Sequence, residues 1–301
     1  MKAPAPARPG TPYERHAGWL LVAPALLAIL LFFALPVAAG FVLSFTDFDL
    51  YAVADPANAR WIGVENYRRL LLDPLFWRAL GNTLFLVVVG GPLTLAAALG
   101  GALLVNSRLA RLRGVYRTIF FAPVVTTLVA VAVVWRYLYH PRVGLLNHLL
   151  GLVGLPAVDW LGDPRWAMLA ITLLTVWRTF GYSLVILVAG LQAIPESLYE
   201  AARLDGASWR QQLVHVTLPM LRPALLFVSV INTVGFFQIF AEPYVMTRGG
   251  PLNATLSIAL LMYQQGFRWW NMGRAAAVAF VLFALILLIS AAQAPLRRRA
   301  A

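Results

Sequence analysis

Six stretches of this 301-residue chain are apolar over lengths that approach or exceed the thickness of a bilayer's hydrocarbon core. They cover residues 18–45, 80–105, 118–139, 166–191, 224–246 and 275–292. About 20 helical residues cross that core, and in lipid a segment must satisfy its backbone N–H and C=O groups internally. Each stretch is therefore expected to be a helix and a span. Composition agrees: 61% of residues are hydrophobic and 12% charged, where a soluble domain would carry roughly twice that charge. The sixth stretch has no charge. The second and fifth contain Gly or Asn, which spans tolerate where they pack on one another. The expected fold is an all-α membrane protein of six transmembrane helices.

An even number of spans puts both termini on one side, and the cations choose which. Lys2, Arg8 and Arg15 precede the first span, Arg108, Arg111, Arg113 and Arg117 lie between the second and third, and Arg297, Arg298 and Arg299 end the chain. Residues 46–77 instead mix Arg60, Arg68 and Arg69 with Asp47, Asp49, Asp55, Glu65 and Asp73. The positive-inside bias places both termini in the cytoplasm. The chain then divides into a tail (1–17), a six-helix domain (18–295) with a cytoplasmic loop at 192–223, and a basic tail (296–301). The formal charge of +12 sits at span ends, where anionic headgroups attract it, so the bilayer and not nucleic acid is the expected partner. Arg15, the apolar run after it and Val37-Ala38-Ala39 also fit a cleaved signal peptide. The run is longer than a signal's apolar core and Pro36 interrupts its end, so a retained span is expected.

Several chemistries are excluded. There is no cysteine, hence no disulfide or thiolate metal site. The single lysine is Lys2; a Walker A loop needs a lysine after its glycines, so this chain is not itself an ATPase and no cofactor is expected in it. His16, His140, His148 and His215 are scattered and form no metal-ligand spacing. His148 reads as an interfacial or packing residue. No nucleophile–base arrangement stands out, so no catalytic residue is assigned.

The polar insert between the fourth and fifth spans is the informative segment. Pro195 suits a first helical turn, and Glu196 and Glu200 lie near that helix's positive end. Glu200 and Arg203 are spaced to meet on one face. Leu198, Ala201 and Ala202 offer a small, smooth apolar surface. Gly206 suits a left-handed helix stop. Ser208 with Gln211 reads as a capping box opening a second short helix, which Leu218-Pro219 is expected to end.

Glu200-Ala201-Ala202, Gly206 six residues after the glutamate and Pro219 nineteen after it resemble the EAA loop of ABC importer permeases. Leu21-Val22-Ala23-Pro24-Ala25, Ser44-Phe45-Thr46-Asp47, Gly63-Val64-Glu65-Asn66-Tyr67, Gly144-Leu145-Leu146-Asn147, Trp160-Leu161-Gly162-Asp163-Pro164 and Thr247-Arg248-Gly249-Gly250-Pro251 resemble the MalF-type carbohydrate permease subunit. The likeness runs from about residue 18 to 295. Arg274 after Met272-Gly273, and Arg248, depart from the family's usual residues, and the larger outer domain that some relatives insert early is absent. The resemblance implies a type I importer (MetI-like) permease fold in a bacterial cytoplasmic (inner) membrane. It implies pairing with a second homologous permease and with two copies of a cytoplasmic ATPase that binds ATP and Mg. It also implies cargo delivery by an extracytoplasmic substrate-binding protein. By position, Glu200, Ala201, Ala202, Asp205 and Gly206 would form the ATPase-coupling helix.

Arg178 falls near the middle of the fourth span, where an arginine costs about 2.5–3.5 kcal/mol and should face the bundle interior or water. Trp177, Phe180 and Tyr182 surround it, and Thr175 lies one turn away. Two readings stay open: Arg178 lines the cargo path, or it makes a structural ion pair, for which Glu242 is the candidate partner. The resemblance adds Asn232, Phe236, Phe237 and Gln238 of the fifth span to the candidate path. The expected cargo is a sugar, di- or oligosaccharide. Glycerol 3-phosphate is the alternative, because a guanidinium also pairs with phosphate. Outside this class, a nucleotide-independent secondary transporter or channel, or a scaffold without transport, stays open. Asn66–Leu72 reads as a short surface helix and Gly249-Gly250-Pro251 as a tight turn.

Overall fold

The computed structural model describes residues 12–107 and 113–298. Lys2, Arg8, Arg108, Arg111 and Arg299 lie outside them. Among the described residues every element is helical apart from an isolated bridge between Thr46 and Trp61. Five single helices are long and apolar enough to cross a membrane: Gly18–Leu43, Pro74–Asn106, Pro164–Gln192, Trp209–Phe237 and Met272–Gln293. They are the first, second, fourth, fifth and sixth spans. The stretch expected as the third span is a bent pair, Gly114–Val125 and Leu128–Leu138, with 101° between its halves.

That bend corrects the single rod expected over residues 118–139. Pro123 removes a backbone donor inside the first half, and the Thr126 hydroxyl donates to the Ala122 carbonyl at 2.8 Å. Thr127 then turns extended, with φ −63° and ψ 135°. A missing N–H, a competing side-chain hydroxyl and an extended residue together end one helix and start another.

Other prolines are absorbed. Wide π turns at Leu30–Ala34, Leu86–Gly90 and Leu213–Thr217 each end just before Pro36, Pro92 and Pro219. Widening the turn gives room for the proline ring, and the helix continues beyond it. The expectation that Leu218-Pro219 ends the second short helix is therefore overturned. The chain runs helical from Trp209 to Phe237. The fifth span also stops earlier than expected: it breaks at Gln238, and Ala241–Met246 forms a separate short helix. Irregular backbone at this depth is tolerated because protein covers it; Ile239, Glu242, Pro243 and Met246 are all buried.

The fourth span is the central element, with 56% of its apolar window buried inside the chain. Gly181 allows this packing. A Cβ there would lie 1.9 Å from the Phe120 carbonyl oxygen, so only glycine lets the third span's first half approach so closely. Three apolar clusters hold the bundle. One joins Leu86, Val131, Tyr139, Ile171, Leu174 and Phe236. A second joins Leu70, Phe76, Phe237, Ile258, Leu261 and Val278. The third, near the polar insert, joins Ala98, Ala102, Leu184, Leu187, Leu191 and Leu221. The first span lies outside these clusters and meets the sixth near its own C-terminus, where the Phe41 and Phe280 rings sit 5.0 Å apart.

Candidate coupling and translocation sites

The insert forms a helix, Glu196–Leu204, with Pro195 as its N-cap, one residue before the helical turn expected for it. Gly206 has φ +76°. Its N–H donates to the Arg203 carbonyl at 3.1 Å, and the Ala207 N–H donates to the Ala202 carbonyl at 2.8 Å. These two bonds are a Schellman stop, which requires a left-handed residue at this position. The capping box is present: Gln211 Oε1 accepts from the Ser208 N–H at 2.7 Å. Arg203 pairs with Glu196 at 3.0 Å and not with Glu200, correcting the pairing expected from their spacing. Glu200 is exposed and makes no ion pair among the described residues.

Glu200, Ala201, Asp205 and Gly206 are exposed and Ala202 is half-buried. Leu198 and Leu204 of the same helix and Trp209 beyond the turn are also open, Leu204 at 89% and Trp209 at 68%. The helix is attached to the bundle through Tyr199, whose hydroxyl meets the Thr217 hydroxyl at 3.0 Å. The result is a short helix stopped at a fixed angle with apolar side chains left open, a candidate docking surface.

A cleft of about 340 Å³ opens between the fourth span, the fifth span and the segment after Phe237. Thr175, Arg178, Thr179 and Tyr182 line it; their three- and four-residue spacing puts them on one helical face. Asn232, Phe236 and Gln238 line it opposite, with Phe240 and Glu242 of the following segment. Asn232 is tied to Ser183 across the two spans, Nδ2 to Oγ at 3.2 Å. Thr175 donates back to the Ile171 carbonyl at 2.8 Å. Arg178 lines this cleft and pairs with Glu242 at 2.9 Å, the partner expected for a structural ion pair. Its side chain is 34% exposed and that of Glu242 5%.

Trp177, Phe180 and Phe237 do not line the cleft. Trp177 packs edge-to-face on Trp135, with centroids 5.5 Å apart, and Phe180 on Phe120 at 5.6 Å. Phe237 is fully buried in the cluster with the sixth span. Thr179 and Phe240 are additions. Thr179 is recoverable from the helical spacing around Arg178, whereas Phe240 reaches the cleft only because the fifth helix breaks.

At the bundle end away from the insert, Arg274 pairs with Asp73, which also caps the second span by accepting from the Leu75 N–H at 2.9 Å. Asn66 lies in the expected short helix, Glu65–Leu72, and is buried. Its Nδ2 donates to the carbonyls of Ser44 at 3.0 Å and Thr46 at 2.7 Å. Asp47 accepts the Arg60 backbone N–H and pairs with its guanidinium, which together hold its carboxyl below the usual range. His148 is exposed, and no group of three or more His, Cys, Asp or Glu able to hold a metal occurs among the described residues.

The family of binding-protein-dependent transport system inner membrane components matches residues 90–301. The chain belongs to this family. The permease is 36% identical over 282 residues to the lactose transport system permease protein LacF of Rhizobium radiobacter, covering 92% of both chains. It is 36% identical over 282 residues to the probable ABC transporter permease protein YesP of Bacillus subtilis, covering 92% of this chain and 89% of that one. The trehalose/maltose transport system permease protein MalF of Thermococcus litoralis is 35% identical over 277 residues, 91% of each chain. In fold, the permease is similar to a chain of a bacterial ABC transporter involved in import of the acidic polysaccharide alginate. The TM-score is 0.78 at 24% identity, over 95% of this chain and 98% of that one. The fold is thus that of the ABC importer permeases.

Proposed function

We propose that this permease forms half of the translocation pore of an ATP-driven carbohydrate importer in a bacterial cytoplasmic membrane, with both termini inside. The other half is a second homologous permease. Two copies of a separate ATPase bind ATP and Mg, and an extracytoplasmic binding protein delivers a sugar, di- or oligosaccharide. The observation that carries this reading is the helix Glu196–Leu204. It stops at Gly206, exposes Leu204 and Trp209, and is tied by Tyr199 to the foot of the fifth span. A chain without a Walker lysine needs an outside engine, and this helix is the surface that engine would grip. Closure of the ATPases would then move the spans as rigid bodies. Sugar-transporting relatives and a cleft combining hydroxyl, amide and aromatic side chains support the cargo class.

The test is reconstitution in proteoliposomes with the second permease, ATPase and binding protein encoded beside this chain or matched to it. ATP hydrolysis should rise when sugar-loaded binding protein is added. Glu200→Lys should reduce ATPase co-purification and uptake by about tenfold or more, equivalent to about 1.4 kcal/mol of lost docking. Solute uptake at full rate with no ATPase present would refute the proposal.

A further inference from the structure

We propose that Glu242 sets the charge selectivity of the cleft: by silencing Arg178 it makes this half of the path accept neutral, hydroxyl-rich cargo and reject phosphorylated or carboxylated sugars. The inference rests on the cleft being part of the cargo path. It selects within the carbohydrate class.

Among the described residues, Arg178 and Glu242 are the only charged ones lining the cleft, and they face one another at 2.9 Å. A free guanidinium presents a planar fork of donors that fits phosphate or carboxylate in a bidentate manner. Here one end of that fork is taken by a carboxylate, and Nε is buried without a partner. An anion entering the cleft would meet the attraction of Arg178 and the repulsion of Glu242 from nearly the same distance, so the two fields largely cancel. It would lose its hydration with no cation in return. A neutral polyol faces a different balance. Thr179, Tyr182, Asn232 and Gln238 exchange its water hydrogen bonds for protein ones, and the Phe236 and Phe240 rings cover its C–H faces. Glu242 is therefore the residue that decides against glycerol 3-phosphate as cargo, an option that Arg178 alone left open.

The experiment uses the assembled transporter without its binding protein, so that only the membrane subunits report. Its apparent unfolding midpoint is followed against glucose 6-phosphate, with glucose and ionic-strength-matched potassium chloride as controls. Wild type should be indifferent to the anion. Glu242→Gln should show a midpoint that climbs with the anion, by up to about 2 °C at about ten times the dissociation constant. The double variant Arg178→Gln/Glu242→Gln should lose that response. An equal response in wild type, no response in Glu242→Gln, or a response that survives in the double variant overturns the proposal. If Glu242→Gln does not fold, the charge swap Arg178→Glu/Glu242→Arg decides: it should stay indifferent, and a swap that responds to the anion overturns the proposal. Neutral-sugar uptake by wild type with its binding protein reports separately on the carbohydrate reading.

Discussion

The helix Glu196–Leu204 and the cleft are built from opposite kinds of contact. The helix is shaped by its own neighbours in sequence: the two bonds of the Schellman stop, the capping box and the Glu196–Arg203 pair all fall within residues 196–211. The cleft is assembled across the bundle. Arg178 reaches Glu242 beyond the fifth span, and Ser183 reaches Asn232 within it. One region keeps its shape while exposed, as a surface awaiting a partner must. The other exists only while the spans hold their relative positions, so its shape follows their movement. The proposed importer, which would convert an external push into a change of internal shape, needs both.

Breaking the local half should have the largest effect. Gly206→Pro is incompatible with φ +76° and removes the N–H that donates to Arg203, so the stop cannot form as it stands. Co-purification of the ATPase should be lost. The spans should melt nearly as before, because nothing lies within 4 Å of the position a Cβ would take. Breaking the long-range half comes next. Arg178→Met leaves Glu242 buried and unpaired, at a cost toward the lower end of about 3–5 kcal/mol. Arg178→Met/Glu242→Leu should recover most of it, as read from detergent or denaturant unfolding of the purified complex. The smallest effect sharpens the contrast. Ser208→Ala should cost about 1 kcal/mol of local helix stability, visible as faster amide exchange over Trp209–Gln212 with the cleft unaffected.

This division also explains what could be read from the chain alone. Gly206, Ser208 and Gln211 announce a stop and a start because their conformational preferences act over a few residues. Spans announce themselves by length and apolarity. Legibility fails wherever the answer depends on a neighbouring helix. Trp177 and Phe180 flank Arg178 in sequence yet turn away to Trp135 and Phe120, since they fall outside the helical face that Thr175, Arg178, Thr179 and Tyr182 share. Arg203 chose Glu196 two turns back, a pairing outside the usual three- and four-residue spacing. Pro219 looked like a terminator because a regular α-turn cannot hold it, but a π turn can. Asn147 drew notice only by resemblance. Buried, it accepts from the Trp160 indole N–H at 2.9 Å and the Val158 N–H at 3.1 Å, and donates to the Val158 carbonyl at 2.8 Å, clasping a loop whose course no local pattern reveals.

The uninterrupted course from Trp209 to Phe237 has a mechanical corollary. At 1.5 Å per residue those 29 residues make a strut roughly 44 Å long. Its base stands beside the helix Glu196–Leu204, where Tyr199 meets Thr217, and its tip holds Asn232 and Phe236. In the proposed importer such a member would work like a tiller: a slight tilt imposed at the handle would become a sweep of several ångströms at the blade.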